Sequence, residues 1–287
     1  MIHAFGCSFT CYTWPSWADL INQVEPCVNY GSSGMGNKAI FTRVISALTR
    51  GRIQPGDRVI VQWSGHTRYD LWLKPGQWLQ LGNVWNQAGN SPINSDFLTK
   101  LWSDQDALIQ SLSLVIALDR VLKSHGVDYC YLYMTDFRNH RLETGRHQVQ
   151  TGEYAGVLRD HWLALDDCLQ VRISMLDWVR TQRQLHPALL WRMRADRPAA
   201  EDLHPEPQEA AQFLQKLQGL LKWNDDQWQL LQQKSDHSQN LLRQANSENN
   251  LHPNARPENS RDNADFYPGW PLYPKDHISY RNDQEPI

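Results

Sequence analysis

The chain lacks both a surplus of basic charge and any long hydrophobic run. Its 28 Lys and Arg residues stand against 31 Asp and Glu residues, which gives a formal net charge of −3. Proteins that bind nucleic acid or anionic lipid through their overall charge carry a positive surplus. No segment approaches the roughly 18 consecutive apolar residues of a membrane span. We therefore expect neither a nucleic-acid partner nor a membrane span.

Cysteine is also scarce, and its pattern does not indicate a disulfide framework. The five residues are odd in number and irregularly spaced: Cys7, Cys11, Cys27, Cys130 and Cys168. This usage is typical of a reducing compartment. The spacing of Cys7 and Cys11 does not match a zinc knuckle, so no metal is expected. The N-terminal MIHAFGCSFT has neither the basic nor the apolar region of a secretory signal, and the expected location is the cytoplasm.

Short apolar segments alternate with segments of helical periodicity along most of the chain. The segments rich in β-branched and aromatic residues predict strands at 2–5, 27–30, 58–63 and 128–134. The segments with apolar residues at helical spacing predict helices at 16–24, 37–50 and 103–125. Such alternation indicates a parallel sheet with helices on both faces, joined by right-handed crossovers.

Two insertions and a tail complete the predicted organisation. Residues 68–102 predict a loop or short hairpin that arches over the strand ends, and the insertion at 138–200 contains a helical piece from about 156 to 183. A helix from 207 to about 222 closes a domain that spans residues 1–224. Beyond that point Gln, Asn, Ser and Asp dominate, so residues 225–287 are expected to be an extended or disordered tail that could bind a protein partner.

The polar segments of the chain follow the predicted strands. Ligands of open parallel sheets bind beyond the carboxyl ends of the strands. The segments at those positions are GCSFT, GSSGMGN, SGHTRYD and TDFRNHR. These segments are therefore the places to seek a functional site.

Ser8 follows the first predicted strand, and Gly6 precedes it by two positions. A nucleophilic serine needs a sharp turn between strand and helix, and a nearby glycine gives the backbone room for one. The same pattern also fits a simple turn. In the second loop, Gly31 and Gly34 leave backbone N–H groups accessible to an oxyanion, although a plain flexible loop fits equally well. Neither a P-loop nor a complete GxGxxG motif is present, so nucleotide binding is not expected.

The segment EDLHP places His204 shortly before the last predicted helix of the domain. Its neighbours Glu201 and Asp202 lie three and two residues upstream. A catalytic histidine needs a carboxylate that fixes its tautomer and stabilises the imidazolium, and this spacing offers one. Histidine followed by proline also occurs as ordinary punctuation before a helix.

The order and positions of these motifs resemble those of the SGNH hydrolases, also called GDSL esterases and lipases. The resemblance covers about residues 2–222, with GCSFT as the first block, NYGSSGMGN as the second, VIVQWSGHT as the third and DLHP as the fifth. It implies a three-layer α/β/α sandwich with a mainly parallel central sheet, of flavodoxin-like type. It also implies a serine esterase that needs no cofactor.

By this resemblance Ser8 would be the nucleophile and His204 the base. The backbone N–H groups of Ser8 and Gly34 would form the oxyanion hole, with Gly31 as a second choice for the latter. The acid that orients His204 would be Asp202, or else Glu201.

The third block departs from the family pattern. Family members usually have an asparagine that completes the oxyanion hole, and His66 stands at that place. An imidazole N–H can donate to an oxyanion as an amide does. Asn37, at the start of the second helix, is an alternative donor.

Aromatic residues in the first insertion suggest a substrate class. Trp72, Trp78, Trp85 and Trp102 lie among Gly, Asn and Pro residues. Aromatic planes over a wet cleft suit sugar rings, so an O-acetylated carbohydrate is the expected substrate, although packing of the loop onto the sheet is the alternative. Arg68 could contact the substrate or form an ion pair with Asp70.

Two further functions stay open on the same residues. A sugar hydroxyl in place of water would make the protein an O-acyltransferase. A protein that kept this fold without the activity would be a binding or assembly protein, because a fold alone does not establish activity.

Overall fold

A parallel β-sheet forms the centre of the protein in the computed structural model, which describes residues 1–12, 14–73, 77–84, 95–137, 153–185 and 203–247. Its strands lie side by side in the order β2-β1-β3-β6. Their bounds are β1 Ile2–Phe5, β2 Cys27–Asn29, β3 Arg58–Trp63 and β6 Asp128–Tyr133. All three pairings are parallel. The predicted parallel sheet and its strands are confirmed to within one residue at each end.

The strands are apolar on both faces because helices cover both. Every residue of β1 is buried, and β3 and β6 are buried after their first residue. A sheet buried on both faces favours continuous apolar strands over an alternating pattern. The VIVQW sequence of β3 is an example, and its Gln62 is the one polar residue of that run.

Contacts between helices divide most of them into two groups. The first group consists of α1 Trp17–Asn22, α6 Met175–Gln182, α7 Pro207–Leu214, α8 Gln218–Leu221 and α9 Asp225–Ser247. The second group consists of α2 Asn37–Thr49, α4 Asp104–Ser124 and α5 Glu153–Leu163, and the short helix α3 Ser95–Lys100 precedes α4. In the first group α1 packs on α7 and α9, and in the second α4 packs on α2 and α5. Within the described ranges no helix is both long and apolar enough to cross a membrane.

The single helix expected from about 156 to 183 is instead two helices, α5 and α6. Between them, Gln170 forms a parallel bridge with Tyr131 of β6, and the Val171 N–H donates to the Tyr131 carbonyl at 2.8 Å. The chain between the helices therefore lies along the outer edge of the sheet. Residues 138–152 and 186–202, most of which belong to the second predicted insertion, lie outside the described residues.

The order of the strands creates a crevice between β1 and β3. The chain moves from β1 to β2 in one direction and then returns past β1 to β3 and β6. Right-handed crossovers place α1 on one face of the sheet and α2 and α4 on the other. The loops that follow β1 and β3 therefore diverge, and ligands of open α/β sheets bind at such a point.

The first insertion begins with an antiparallel hairpin, as predicted. It consists of β4 Arg68–Leu73 and β5 Gln77–Asn83, with Trp72 opposite Trp78. The hairpin crosses the second loop, because the Gly82 N–H donates to the Gly34 carbonyl at 3.2 Å and the Ser32 hydroxyl donates to Gln80 Oε1 at 2.8 Å. The hairpin thus covers the carboxyl edge of the sheet.

The expectation of an extended tail from residue 225 is wrong for 225–247, which form helix α9. This helix packs on α7 through leucines and through polar side chains. The Gln239 amide donates to Glu206 Oε2 at 2.6 Å, and the Gln208 amide donates to Asp236 Oδ1 at 2.7 Å. Composition indicated an extended tail because much of this interface is polar. Residues 248–287 lie outside the described residues.

We predict that Leu231→Ala destabilises the protein, because Leu231 of α9 is 3% exposed and belongs to the core. Truncation of a buried leucine costs about 2–5 kcal/mol. The neighbouring Leu230, which is only half-buried, provides the matched control Leu230→Ala. Urea unfolding measures both changes. An equal and small loss in the two variants would contradict the packing of α9 described above.

A second prediction concerns His3, which is 2% exposed and lies 3.2 Å from Asp57 Oδ2 through its Nε2 atom. Burial lowers the pKa of His3 from its usual 6.5, although Asp57 partly opposes the shift. Below about pH 6.5 the unfolded chain binds a proton that the folded protein takes up only at lower pH, so stability is lost as the pH falls. We expect the melting temperature to drop between pH 7 and pH 5.

His3→Gln isolates this effect, because glutamine can still donate to Asp57 but does not titrate. The pKa of Asp57 is lowered, since hydrogen bonds from the N-terminal ammonium, Gln54 and His3 outweigh its burial. Asp57 therefore titrates below this pH window and does not contribute. The variant should lose less stability than the wild type between pH 7 and pH 5, and parallel losses would refute the assignment.

Candidate functional site

Ser8 lies in a tight turn directly beyond the carboxyl end of β1. The carbonyl of Cys7 accepts hydrogen bonds from the N–H groups of Thr10, at 2.9 Å, and Cys11, at 3.0 Å. The Ser8 side chain is 3% exposed. Its hydroxyl therefore stands in an enclosed position in the crevice between β1 and β3, where a substrate would lose most of its water.

A buried polar network beneath Ser8 fixes this turn. The Thr10 hydroxyl donates to Gln62 Oε1 at 2.6 Å, and Trp17 Nε1 donates to the same oxygen at 3.0 Å. The amide of Asn29 donates to the Thr10 carbonyl at 2.7 Å. The network connects the turn to β2, β3 and α1. Sequence reasoning missed it, although a glutamine inside the apolar VIVQW strand was a usable signal.

Gly6 is required because the chain packs tightly around it. A Cβ atom at this position would lie 2.1 Å from Thr10 Oγ1 and 3.0 Å from the backbone carbonyl of Gln62. Thr10 cannot easily move, since its hydroxyl is held by Gln62. The sequence predicted that Gly6 gives the backbone room for a turn. In the structure the backbone at Gly6 packs closely against β3 and against Thr10 of the turn, so no side chain fits there.

The backbone N–H groups of Ser8 and Gly34 make no hydrogen bond within the described residues. Gly34 has a φ of +80°, a left-handed conformation that glycine adopts without strain. Its carbonyl accepts a hydrogen bond from the Gly82 N–H, which holds the peptide between Gly34 and Met35 against the hairpin. Both N–H groups can therefore donate to a ligand, and the oxyanion hole that the resemblance implies for them stays a prediction.

Asn37 does not supply a further oxyanion donor. Its side-chain amide already donates to the Ser64 carbonyl at 3.2 Å and to the Ser111 hydroxyl at 2.9 Å, and its Oδ1 accepts from the Ser64 N–H at 2.7 Å. Because both amide hydrogens are engaged, Asn37 ties α2 to the end of β3 and to α4. The alternative role predicted for it is therefore wrong.

His66 lies in the turn after β3, with its ring edge-on to Phe137 at a centroid distance of 6.5 Å. Among the described residues the Ser8 hydroxyl makes no hydrogen bond to His66. The side chain that reaches it is Arg68, whose Nη2 lies 3.5 Å from Ser8 Oγ, at the outer limit of a hydrogen bond. The segment after β3 thus contacts the Ser8 hydroxyl through Arg68. It does not contact it through His66, which stands where the family pattern has an asparagine.

The sequence left open an ion pair between Asp70 and Arg68. In the structure Asp70 instead binds the backbone at the start of α2. Its carboxylate accepts hydrogen bonds from the N–H groups of Gly36, at 2.8 Å, and Ala39, at 3.0 Å. Burial raises the pKa of Asp70, and these two hydrogen bonds oppose the shift. Asp70 therefore caps the first turn of α2 and fixes the hairpin to that helix.

His204 lies against the same turn as Ser8. Its ring stacks on Tyr12 with a centroid distance of 3.5 Å and an interplanar angle of 12°, and it also contacts Phe9 at 4.6 Å. The side chain is 2% exposed. No hydrogen bond joins Ser8 Oγ to the His204 ring. The predicted nucleophile and base thus lie on adjoining segments, and the contact between them is not closed.

Side chains around His204 fix its backbone. Arg183 Nη2 donates to the His204 carbonyl at 3.2 Å, and the same guanidinium forms a two-pronged ion pair with Glu209 at 2.7 Å in both contacts. Trp14 Nε1 donates to the Pro205 carbonyl at 2.8 Å. Sequence spacing gave no signal for Arg183, which lies 21 positions before His204. Both predicted acids, Glu201 and Asp202, lie outside the described residues.

The predicted substrate-binding tryptophans are only partly described. Trp72 of β4 is 42% exposed. Trp78 lies opposite it in β5, its side chain is not described, and Trp85 lies outside the described residues. Trp102 instead packs with Tyr69 and Phe97 at centroid distances of 5.5 and 6.1 Å, which is the packing role that was the alternative for these residues.

A scan against protein-family models finds no match for this chain, and a search of curated proteins finds none. In the described ranges, no three His, Cys, Asp or Glu side chains converge as metal ligands.

Proposed function

We propose that this protein is a serine esterase of the SGNH hydrolase type, with the three-layer fold of that family, in which Ser8 is the nucleophile and His204 the base. One observation carries the proposal. Ser8 is buried in the turn after β1, the buried His204 ring packs against Phe9 of the same turn, and the N–H groups of Ser8 and Gly34 make no hydrogen bond within the described residues. A serine, a histidine and oxyanion donors are the groups that acyl transfer requires.

The reaction follows from these roles. Ser8 Oγ attacks the ester carbonyl while His204 takes the hydroxyl proton, and the carbonyl oxygen becomes an oxyanion bound by the N–H groups of Ser8 and Gly34. Collapse of this intermediate breaks the bond to the alcohol, which leaves with the proton from His204. Water activated by His204 then hydrolyses the acyl-enzyme and restores the hydroxyl of Ser8.

The open contact between Ser8 and His204 is compatible with this mechanism. Catalytic hydrogen bonds are often long without substrate and shorten only in the reacting complex. The His204 ring contacts Tyr12 and Phe9, and its carbonyl is held by Arg183, so the mechanism requires the Ser8 and His204 side chains, rather than the fixed turn, to rotate toward each other when an ester binds. Asp202, or else Glu201, is proposed to orient the imidazole.

For the substrate we propose an acyl ester on a carbohydrate. The half-exposed Trp72 lies on the hairpin that covers the site and offers an aromatic surface for a sugar ring. The acyl group has to be small, such as acetyl, because Ser8 is enclosed. Trp72→Ala should therefore raise KM for an acetylated oligosaccharide and leave p-nitrophenyl acetate hydrolysis unchanged.

The test of the proposed function is hydrolysis of p-nitrophenyl acetate, longer acyl esters and acetylated sugars by the purified protein. Activity that declines with acyl length and is highest on acetyl esters supports the proposal. Turnover of an acetylated sugar only in the presence of an acceptor sugar would favour an acyltransferase. Absence of turnover on every ester would favour a binding or assembly protein.

A further inference from the structure

Arg68 is a buried cation that forms no salt bridge within the described residues, although the Asp70 carboxylate is near enough to attract its charge. Its side chain is 8% exposed, and its Nη1 atom is buried with no hydrogen-bond partner. Within the described residues no carboxylate oxygen lies within 4.0 Å of the guanidinium. A buried charge without a salt bridge costs stability, and a ligand of opposite charge would offset that cost.

The neighbouring acid, Asp70, attracts Arg68 but does not form a salt bridge with it. Asp70 lies two residues away on β4, and both its oxygens accept backbone hydrogen bonds from the start of α2. Those bonds hold Asp70 toward the helix. The same bonds keep β4 against α2 and thereby fix the strand from which the Arg68 side chain extends.

Arg68 instead extends to Ser8, with Nη2 3.5 Å from Ser8 Oγ. Oxyanion donors lie about 2.7–3.1 Å from the oxygen that they stabilise, and that oxygen forms next to the attacking serine. A guanidinium at this place is within reach of the oxyanion. It also donates stronger hydrogen bonds to an anion than a neutral amide does.

We propose that Arg68 is a catalytic residue that turns this pocket into an anion site, in which its guanidinium binds the oxyanion together with the N–H groups of Ser8 and Gly34. This proposal rests on the proposed esterase function for its catalytic part. The anion site itself is a property of the resting protein and can be tested without turnover. Its ligand class is a small tetrahedral oxyanion.

The catalytic part is tested by kcat and KM for the neutral ester p-nitrophenyl acetate. Loss of an oxyanion donor lowers kcat by about a hundred- to a thousandfold, so Arg68→Met should do the same and leave KM within about threefold. Arg68→Lys should recover part of the activity because it keeps the charge. Arg58→Met, at the other end of the sheet beside Glu25, is the matched control and should keep the wild-type kcat.

The binding part is tested with inorganic phosphate, titrated by calorimetry into the Ser8→Ala protein with and without Arg68→Met. We expect phosphate to bind, and its affinity to fall at least tenfold when Arg68 is replaced. Thermal unfolding checks that the variants are folded. Arg68→Gln, which keeps polar hydrogens without the charge, replaces Arg68→Met if the latter does not fold.

The two parts separate the possible failures. An absence of esterase activity together with phosphate binding that depends on Arg68 would refute the esterase and leave the anion site standing. Esterase activity that depends on Ser8, with unchanged kcat and unchanged phosphate affinity after Arg68 replacement, would overturn this inference alone. A rise in KM with unchanged kcat would also overturn it, since it would assign Arg68 to ground-state binding.

Discussion

Replacing Ser8 with alanine is expected to lower kcat for ester hydrolysis by about 10⁴- to 10⁶-fold, the loss seen when the nucleophile of a serine hydrolase is removed. The reason is that the variant has no oxygen to form the acyl-enzyme, whereas the pocket and its N–H donors remain. KM should change little, because Ser8 is a small part of the binding surface. Steady-state kinetics with p-nitrophenyl acetate measures both quantities.

His204→Ala should produce a loss of similar size, and the double variant should be no worse than either single one. Groups that act as one unit show such non-additive effects. Ser33→Ala is the matched control, because Ser33 is an exposed serine in the neighbouring loop. A Ser8→Ala protein that keeps activity within tenfold of the wild type would refute the role of Ser8.

Replacing Gly6 with alanine is expected to have the second-largest effect, on both stability and activity. The added Cβ would lie 2.1 Å from the Thr10 hydroxyl and 3.0 Å from the Gln62 carbonyl, so the turn has to shift. Overpacking of this kind costs about 1–3 kcal/mol. The shift would also move Ser8 relative to the Gly34 N–H and to His204, so kcat for ester hydrolysis should fall. Urea unfolding and ester kinetics measure the two effects.

The matched control for this change is Gly156→Ala. Gly156 lies inside α5, and a Cβ atom there would meet nothing within 4 Å. Alanine is the better helix former by about 1 kcal/mol, so this variant should be as stable as the wild type or more so. Equal behaviour of the Gly6 and Gly156 variants would mean that the turn around Ser8 is not tightly packed.

The sheet could be predicted from the sequence because its strands carry a strong local signal. Segments such as Ile2–Phe5 and Arg58–Trp63 are short, apolar and bounded by polar or small residues, and buried strands need no more than that pattern. The hairpin of β4 and β5 was one of two alternatives, a loop or a short hairpin, that the sequence left open for residues 68–102. The parallel direction of the strands followed from the alternation of strands and helices along the chain.

Helix α9 could not be predicted in the same way. Its contacts with α7 include polar side chains such as Gln239 and Asp236, which look like tail residues in a composition count. Whether a glutamine is solvated or hydrogen-bonded across an interface depends on what lies opposite it in space. Only the position of α7, set by the rest of the fold, decides that question.

The candidate site also combines residues that could be predicted from the sequence with contacts that could not. Ser8, Gly34 and His204 were predicted through the resemblance to the SGNH hydrolases, and the parallel sheet explains why the loops that carry Ser8 and Gly34 lie at one edge. The contacts of Asn37 with Ser64 and Ser111 could not be foreseen, because they join residues 27 and 74 positions apart. The approach of Arg68 to Ser8 depends on how the hairpin folds back over the sheet, which the sequence of the hairpin alone does not encode.

The central claim, that Ser8 is an activated nucleophile served by His204, is tested most directly by reaction with a fluorophosphonate. In this reaction the serine oxygen bonds to phosphorus, fluoride leaves, and a stable adduct remains. We predict one adduct per chain, located at Ser8 by mass spectrometry of the peptides, and slow or absent labelling of folded His204→Ala protein. Labelling at another residue, or none in the folded wild-type protein, would contradict the account.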